Sequence, residues 1–219
     1  AMKVVLVAVP GAGKTTIIQL LKRKKPDIKV VNYGDYMFKI ARDKYGIKDR
    51  DQIRTKLSLD EYRQVQLEAA KEIGKLKGDI VIDTHLAIKT KKGYYPGLPN
   101  DVAQELKPDV IVILEFNPKD VIERRLKDMK IDKPVMTEIG TIRVPRPGRD
   151  LETEEEIDLH QEINRIFGVV VSNQTKATLK IINLRNIVQK EPYEHSKIAA
   201  EILRQIFDEP MFLNPKPRR

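Results

Sequence analysis

A short apolar run, Val4-Val5-Leu6-Val7, leads directly into Ala8-Val9-Pro10-Gly11-Ala12-Gly13-Lys14-Thr15-Thr16. Few folds accommodate that succession. The run reads as a strand buried on both faces, as parallel strands are. A glycine-containing turn follows, and a helix is predicted over 15–24, stopped by Pro26. Strand, glycine turn and helix in this order form a phosphate-binding loop. Glycines let successive backbone N–H groups turn toward phosphate oxygens without a Cβ in the way. The helix N-terminus adds partial positive charge at the same place. Residues 8–16 are therefore expected to hold a nucleotide polyphosphate, with Lys14 on its outer phosphates and the Thr15 hydroxyl near a Mg²⁺ ion. Ala8 stands where the strict pattern has glycine.

Strands and helices alternate along the rest of the chain. Further strands are predicted over 29–32, 80–83, 110–116 and 179–182, and helices over 35–45, 59–76, 118–125 and 196–207. Ser58 and Glu61 have capping-box spacing, in which each side chain satisfies a free N–H of the other's backbone. Asn117-Pro118 reads as a cap followed by proline at the first helical position. Thr153 reads as the cap of a helix whose first turn is acidic, and the run Glu152 to Glu156 as that helix start. Between 129 and 148 the pattern breaks: Gly140, Pro145, Pro147 and Gly148 punctuate it beside Arg143, Arg146 and Arg149. The alternation predicts an α/β three-layer fold of the P-loop NTPase type, a five-stranded parallel sheet with helices on both faces.

Charge narrows the partners. Lys+Arg number 41 against 32 Asp+Glu, a net +9 over 219 residues, which suits anionic partners such as nucleotides or nucleic acid. With no cysteine, disulfides and thiolate metal sites are excluded, and a reducing, cytoplasmic setting is expected. No apolar run approaches the roughly 20 residues of a membrane span. No signal peptide is expected either, because Lys3 to Val7 already reads as a strand. An Asn-Lys-x-Asp guanine motif is missing, which argues against a GTPase. A small chain with arginine-bearing insertions points to a nucleotide or small-molecule kinase.

Several segments in order sharpen this: Val9-Pro10-Gly11-Ala12-Gly13-Lys14-Thr15-Thr16, Val31-Asn32-Tyr33-Gly34-Asp35-Tyr36-Met37, Asp49-Arg50-Asp51-Gln52-Ile53-Arg54, Val81-Ile82-Asp83-Thr84-His85, Gly93-Tyr94-Tyr95-Pro96-Gly97-Leu98-Pro99, Arg124-Arg125-Leu126 and Arg149-Asp150-Leu151-Glu152-Thr153. Together they resemble the archaeal adenylate kinase family over residues 2 to about 207. The resemblance implies reversible Mg-dependent transfer between ATP and AMP to give two ADP. It also implies one kinase domain over 1–219, with a nucleoside monophosphate-binding segment near 33–78, a lid insertion near 126–152 and a flexible tail at 208–219. Family members are typically homotrimers.

The resemblance also implies roles. Lys14, Arg124, Arg125 and Arg149 are the catalytic candidates, because a transferring phosphoryl group needs cations around it and water kept out. Arg165 is a weaker one. Arg54 is expected at the AMP α-phosphate. Tyr33 and Gly34 are expected near the adenine or ribose, Thr84 and His85 at the AMP side, and Lys89 in a loop over 89–99 that surrounds AMP. Asp83 ends a buried strand and would hold Mg²⁺ through water together with Thr15. An AMP phosphate oxygen is already anionic, so no general base is needed. Two alternatives stay open: a kinase for another nucleoside monophosphate, and a nucleotide-dependent RNA-binding or ribosome-associated factor, suggested by the basic excess.

Overall fold

The computed structural model describes residues 1–131, 152–188 and 193–211. Five strands form one parallel sheet: β1 (Lys3–Val7), β2 (Lys29–Asn32), β3 (Ile80–Asp83), β6 (Val110–Glu115) and β7 (Thr178–Asn183), in the spatial order β2-β3-β1-β6-β7. A two-stranded hairpin, β4 (Ala87–Thr90) with β5 (Gly93–Pro96), stands apart from it. The helices are α1 (Lys14–Lys24), α2 (Tyr33–Tyr45), α3 (Gln52–Lys56), α4 (Leu59–Gly74), α5 (Asn100–Leu106), α6 (Pro118–Ile131), α7 (Glu154–Thr175) and α8 (Glu194–Asp208).

The two-residue period of a strand sends alternate side chains to opposite faces. Val5, Val7, Ile80, Ile82, Ile111 and Ile113 pack with α2, α4 and α5. Val4, Leu6, Val81, Val112 and Leu114 pack on the other face with α1 and α8. Both faces of the central strands are thus dry, which is why those strands read as unbroken apolar runs. The expected five-stranded, three-layer architecture is the one observed.

Register aligns the ends of the strands. Asn32 is the partner of Asp83, Leu6 the partner of Asp83 on the other side, and Val7 the partner of Ile113. The carboxyl ends of β2, β3 and β1 therefore stand side by side, where parallel α/β sheets carry their ligands.

Local chemistry sets the helix starts. Both capping-box bonds form: Ser58 Oγ accepts from the Glu61 N–H at 3.1 Å, and Glu61 Oε1 accepts from the Ser58 N–H at 2.9 Å. The Thr153 hydroxyl accepts from the Glu156 N–H at 3.1 Å. Helix α2 begins two residues earlier than predicted. The Asn32 side chain caps it, taking the Asp35 N–H at 3.0 Å, so Tyr33 and Gly34 belong to its first turn.

Three expectations need correction. The stretch 89–99 is not simply a loop. Gly93, at φ 106, closes the turn of the β4–β5 hairpin, and Thr90 Oγ1 donates to the Gly93 carbonyl at 2.6 Å. The predicted set of helices omits two short ones, α3 and α5. Glu152 does not join the first turn of α7; it lies ahead of the Thr153 cap and turns back into the protein. Arg149 and most of the lid segment at 126–152 lie outside the described residues, as does the tail beyond Met211.

Candidate active site

The phosphate loop bends at two glycines with left-handed backbone, Gly11 at φ 79 and Gly13 at φ 93, and α1 starts at Lys14. At the Ala8 position the backbone is of the ordinary kind, since Ala8 is not among the residues of positive φ. A methyl group is accepted there because no left-handed turn is asked of that residue. Ala8, Val9 and Ala12 are buried, whereas Pro10, Gly11 and Thr15 face outward.

The Lys14 ammonium lies 2.5 Å from Asp83 Oδ1 and donates to the Thr84 carbonyl at 3.0 Å. Burial lowers the Lys14 pKa, and the Asp83 carboxylate pulls it back up. The other Asp83 oxygen accepts from Asn32 Nδ2 at 3.3 Å, and Asn32 Oδ1 in turn accepts from Arg50 Nη2 at 3.3 Å. Arg50 also pairs with Asp35 at 3.1 Å. One polar chain thus runs from the phosphate loop across the ends of β3 and β2 to the N-terminus of α2. Its register-matched members, Asn32 and Asp83, come from adjacent strands.

Three cavities adjoin this chain and share lining residues. One of about 620 Å³ is lined by Gly34, Met37, Arg50, Ile53, Arg54 and Tyr62. A second, of about 150 Å³, includes Tyr33, Gln66, Asp83, Thr84, His85 and Arg54. A third, of about 290 Å³, reaches Pro10, Lys89, Arg125 and Glu152 and again includes His85 and Arg54. Arg54 therefore stands where all three meet. Gly34 leaves room for a neighbour rather than for a special backbone angle: a Cβ there would lie 1.6 Å from Arg50 Nη2. Burial, with help from the nearby Lys14 and Arg54 charges, pushes the His85 imidazole down to about 3. At neutral pH His85 is uncharged and offers a hydrogen bond, not a cation.

Two successive arginines of α6 cover the phosphate loop. Arg124 Nη1 donates to the Ala12 carbonyl at 2.5 Å, and a Cβ on Gly13 would fall 1.4 Å from the same nitrogen. Arg125 donates to the Pro10 carbonyl through Nε at 3.0 Å and Nη2 at 2.7 Å. Its Nη1 pairs with Glu152 at 3.1 Å, and the side chain is only 3% exposed. Glu152 also takes Lys89 at 2.6 Å, and Lys89 takes Glu156 at 3.2 Å. The Lys89 ammonium thus sits on two carboxylates. Burial opposes ionisation of Glu152, but hydrogen bonds from Lys89 and Arg125 outweigh it and hold the carboxyl below its usual range.

Arg165 forms a two-pronged pair with the fully buried Glu115, at 2.5 and 2.6 Å, and Arg185 approaches the same carboxylate at 3.5 Å. Asn32, Arg50, Gln66 and Glu152 are the site neighbours that residue-by-residue reading did not single out. Asn32, Arg50 and Glu152 lie inside segments that carry the family resemblance, whereas Gln66 lies in none of them. As possible metal ligands the site offers the Thr15 hydroxyl, at the start of α1, and the Asp83 carboxylate, at the end of β3. Both are hard oxygen donors of the kind magnesium takes alongside phosphate and water.

A family model described as an AAA domain matches residues 7–143. An adenylate kinase from Pyrobaculum aerophilum is 47% identical over 202 residues, spanning 92% of this chain and 94% of its own length. The chain belongs to the archaeal adenylate kinases. Members from Pyrococcus horikoshii and Methanothermobacter thermautotrophicus are each 39% identical, covering 82% and 84% of this chain and 84% and 92% of their own. Among solved structures, a shikimate kinase from Bacteroides thetaiotaomicron aligns over 95% of this chain and 99% of its own at a TM-score of 0.56. At 16% identity that likeness concerns the fold. Among the described residues, no helix is long and apolar enough to cross a membrane.

Proposed function

We propose that the chain moves the γ-phosphoryl group of ATP to the α-phosphate of AMP, reversibly and with Mg²⁺, giving two ADP. The observation that carries this is the polar chain Lys14–Asp83–Asn32–Arg50, which joins the phosphate loop to the cavities around Arg54. A hydrolase has no use for a second, arginine-lined cavity beside its phosphate loop. A phosphotransferase between two nucleotides requires one, because the two phosphate groups must meet with water excluded.

In this reading the backbone N–H groups of residues 8–16 and the Lys14 ammonium hold the ATP phosphates. Thr15 and Asp83 would hold a magnesium ion, whose charge would offset that of the phosphates. Arg54 receives the AMP phosphate, and Tyr33, Gly34, Thr84 and His85 line the rest of that side. Arg124 sits on a neutral carbonyl, which is a weaker acceptor than phosphate. An arriving triphosphate would draw it off Ala12 and onto the transferring group, joined there by Arg149 from the lid. Arg125 acts differently. Its donors hold the Pro10 carbonyl and Glu152, so it is a positioning residue that fixes the loop's curvature. The mechanism is electrostatic, and a neutral His85 fits a reaction that needs no base.

A coupled assay with Mg·ATP and AMP, CMP, GMP or shikimate as acceptor checks the proposal. ADP should form fastest with AMP; absence of ADP formation with AMP would remove it. The reading includes a cytoplasmic homotrimer, supported by an exposed apolar stripe on α7, where Leu159, Ile166 and Val170 recur at helical spacing. Sedimentation should give about three times the 25.2 kDa of the chain, and a monomer at micromolar concentration would refute the trimer.

A further inference from the structure

The small cavity at the carboxyl edge of the sheet has a polar floor with one bond missing. Gln66, on α4, is 1% exposed. Its Nε2 donates to two backbone carbonyls, Gly97 at 3.0 Å and Pro96 at 3.3 Å. Both amide hydrogens are thereby used. Its Oε1 is buried and has no partner. Rotating the amide by half a turn would not help, since it would set the oxygen against two carbonyl oxygens. The segment carrying those carbonyls is fixed as well: a Cβ on Gly97 would lie 1.8 Å from the His85 carbonyl, so the two backbones are already in contact. Tyr33, whose hydroxyl donates to the Gln66 carbonyl, closes the same corner. The result is a rigid acceptor of known orientation at a site lined by Tyr33, Gly34, Arg54, Tyr62 and His85.

A buried acceptor without a donor is costly unless a ligand supplies one. We infer that Gln66 is the residue that reads the acceptor base, its Oε1 accepting a hydrogen bond from the exocyclic amino group of a 6-aminopurine. This rests on the proposed AMP site and deepens it. A 6-oxopurine presents a carbonyl oxygen at that position and would face the Gln66 oxygen acceptor to acceptor. AMP and IMP differ only at this edge of the base, in the C6 substituent and in the N1 proton that accompanies the 6-oxo form, so their ratio reports on the contact.

The test is kcat/KM for AMP and for IMP in the wild-type enzyme, in Gln66→Met, in Gln66→Glu and in Arg54→Ala. Wild type should favour AMP by about 100-fold or more, as sites built to bond a substrate donor do. Gln66→Met fills the same volume without the acceptor, and the preference should drop at least about tenfold, chiefly through slower use of AMP. In Gln66→Glu, burial keeps the carboxyl protonated. Its O–H can donate to Gly97 while the second oxygen remains an acceptor, so the preference should persist. A merely structural Gln66 would slow both acceptors in parallel and leave the ratio alone. That result, or a wild-type ratio near one, overturns the inference. Arg54→Ala should slow AMP and IMP equally, because both carry the phosphate. If it slows neither, the cavity is not the acceptor site, and that failure is distinct from an unchanged ratio in Gln66→Met.

Discussion

Replacing Lys14 with alanine should lower kcat by about 10³-fold or more while the protein stays folded. The ammonium is 13% exposed and lies 2.5 Å from a carboxylate, in surroundings where charge is weakly screened. Removing one neutral donor from a preorganised anion site costs about 10²–10³ in kcat. Removing a full positive charge from such a site costs more. The fold should survive, because α1 begins from the Gly13 turn and its buried members Ile17, Ile18 and Leu21 are untouched. Asp83 keeps its bond from Asn32 when the ammonium is gone. Lys14→Arg should rescue little, since the longer planar guanidinium does not fit the point-charge position between Asp83 and the Thr84 carbonyl. Steady-state rates at saturating ATP and AMP, with a melting curve on the same sample, decide the matter. Turnover within tenfold of wild type would contradict the role given to Lys14.

The phosphate loop was legible because its chemistry is local. Glycines 11 and 13, the lysine and the flanking strand are neighbours in sequence, and the bends they make are the ones observed. The sheet was legible for another reason. Strands β1, β3 and β6 are dry on both faces, so each appears as a short apolar run. The β4–β5 hairpin was harder. Its strands are four residues each, half of them exposed, and the deciding signal is a single glycine of positive φ after Thr90-Lys91-Lys92. Helix α5 is seven residues long, too short for its apolar members Val102, Ala103 and Leu106 to establish a period.

The site residues that escaped notice share a different property. Asn32 acts as helix cap and as neighbour of Asp83 at once, and the second role exists only after β2 pairs with β3 in one particular register. Gln66 looks like any polar residue of an amphipathic helix until α4 docks on the segment at Pro96 and Gly97. Glu152 stands in an acidic string whose other members serve the helix dipole. Tertiary contact with α6 and β4 singles it out. Partnerships of this kind depend on packing between distant segments, and no short window of sequence contains them.

Glu152 also gives the largest stability effect expected outside the core. It is the common partner of Arg125, 3% exposed, and Lys89, so its removal breaks an ion pair of a buried guanidinium. Breaking a buried pair by deleting one member costs about 3–5 kcal/mol. In a chain of this length that corresponds to a fall in Tm on the order of 10 °C for Glu152→Ala. Lys89→Met should cost far less, because the lysine is 45% exposed and its pairs are screened by water. The pH dependence has a definite sign. The folded-state pKa of Glu152 is held below the usual carboxylate value, so its contribution is fully present above the unfolded pKa of about 4.5 and is lost as the pH falls through the folded value. The stability gap between wild type and Glu152→Ala should therefore be widest near neutrality and narrow as the solution is acidified below about pH 4.5. Thermal melts across that range measure it. A gap that stays constant from neutral to acid pH would mean that the carboxylate charge contributes nothing, and a loss of under about 2 °C at pH 7 would mean that Arg125 does not depend on Glu152 for its place.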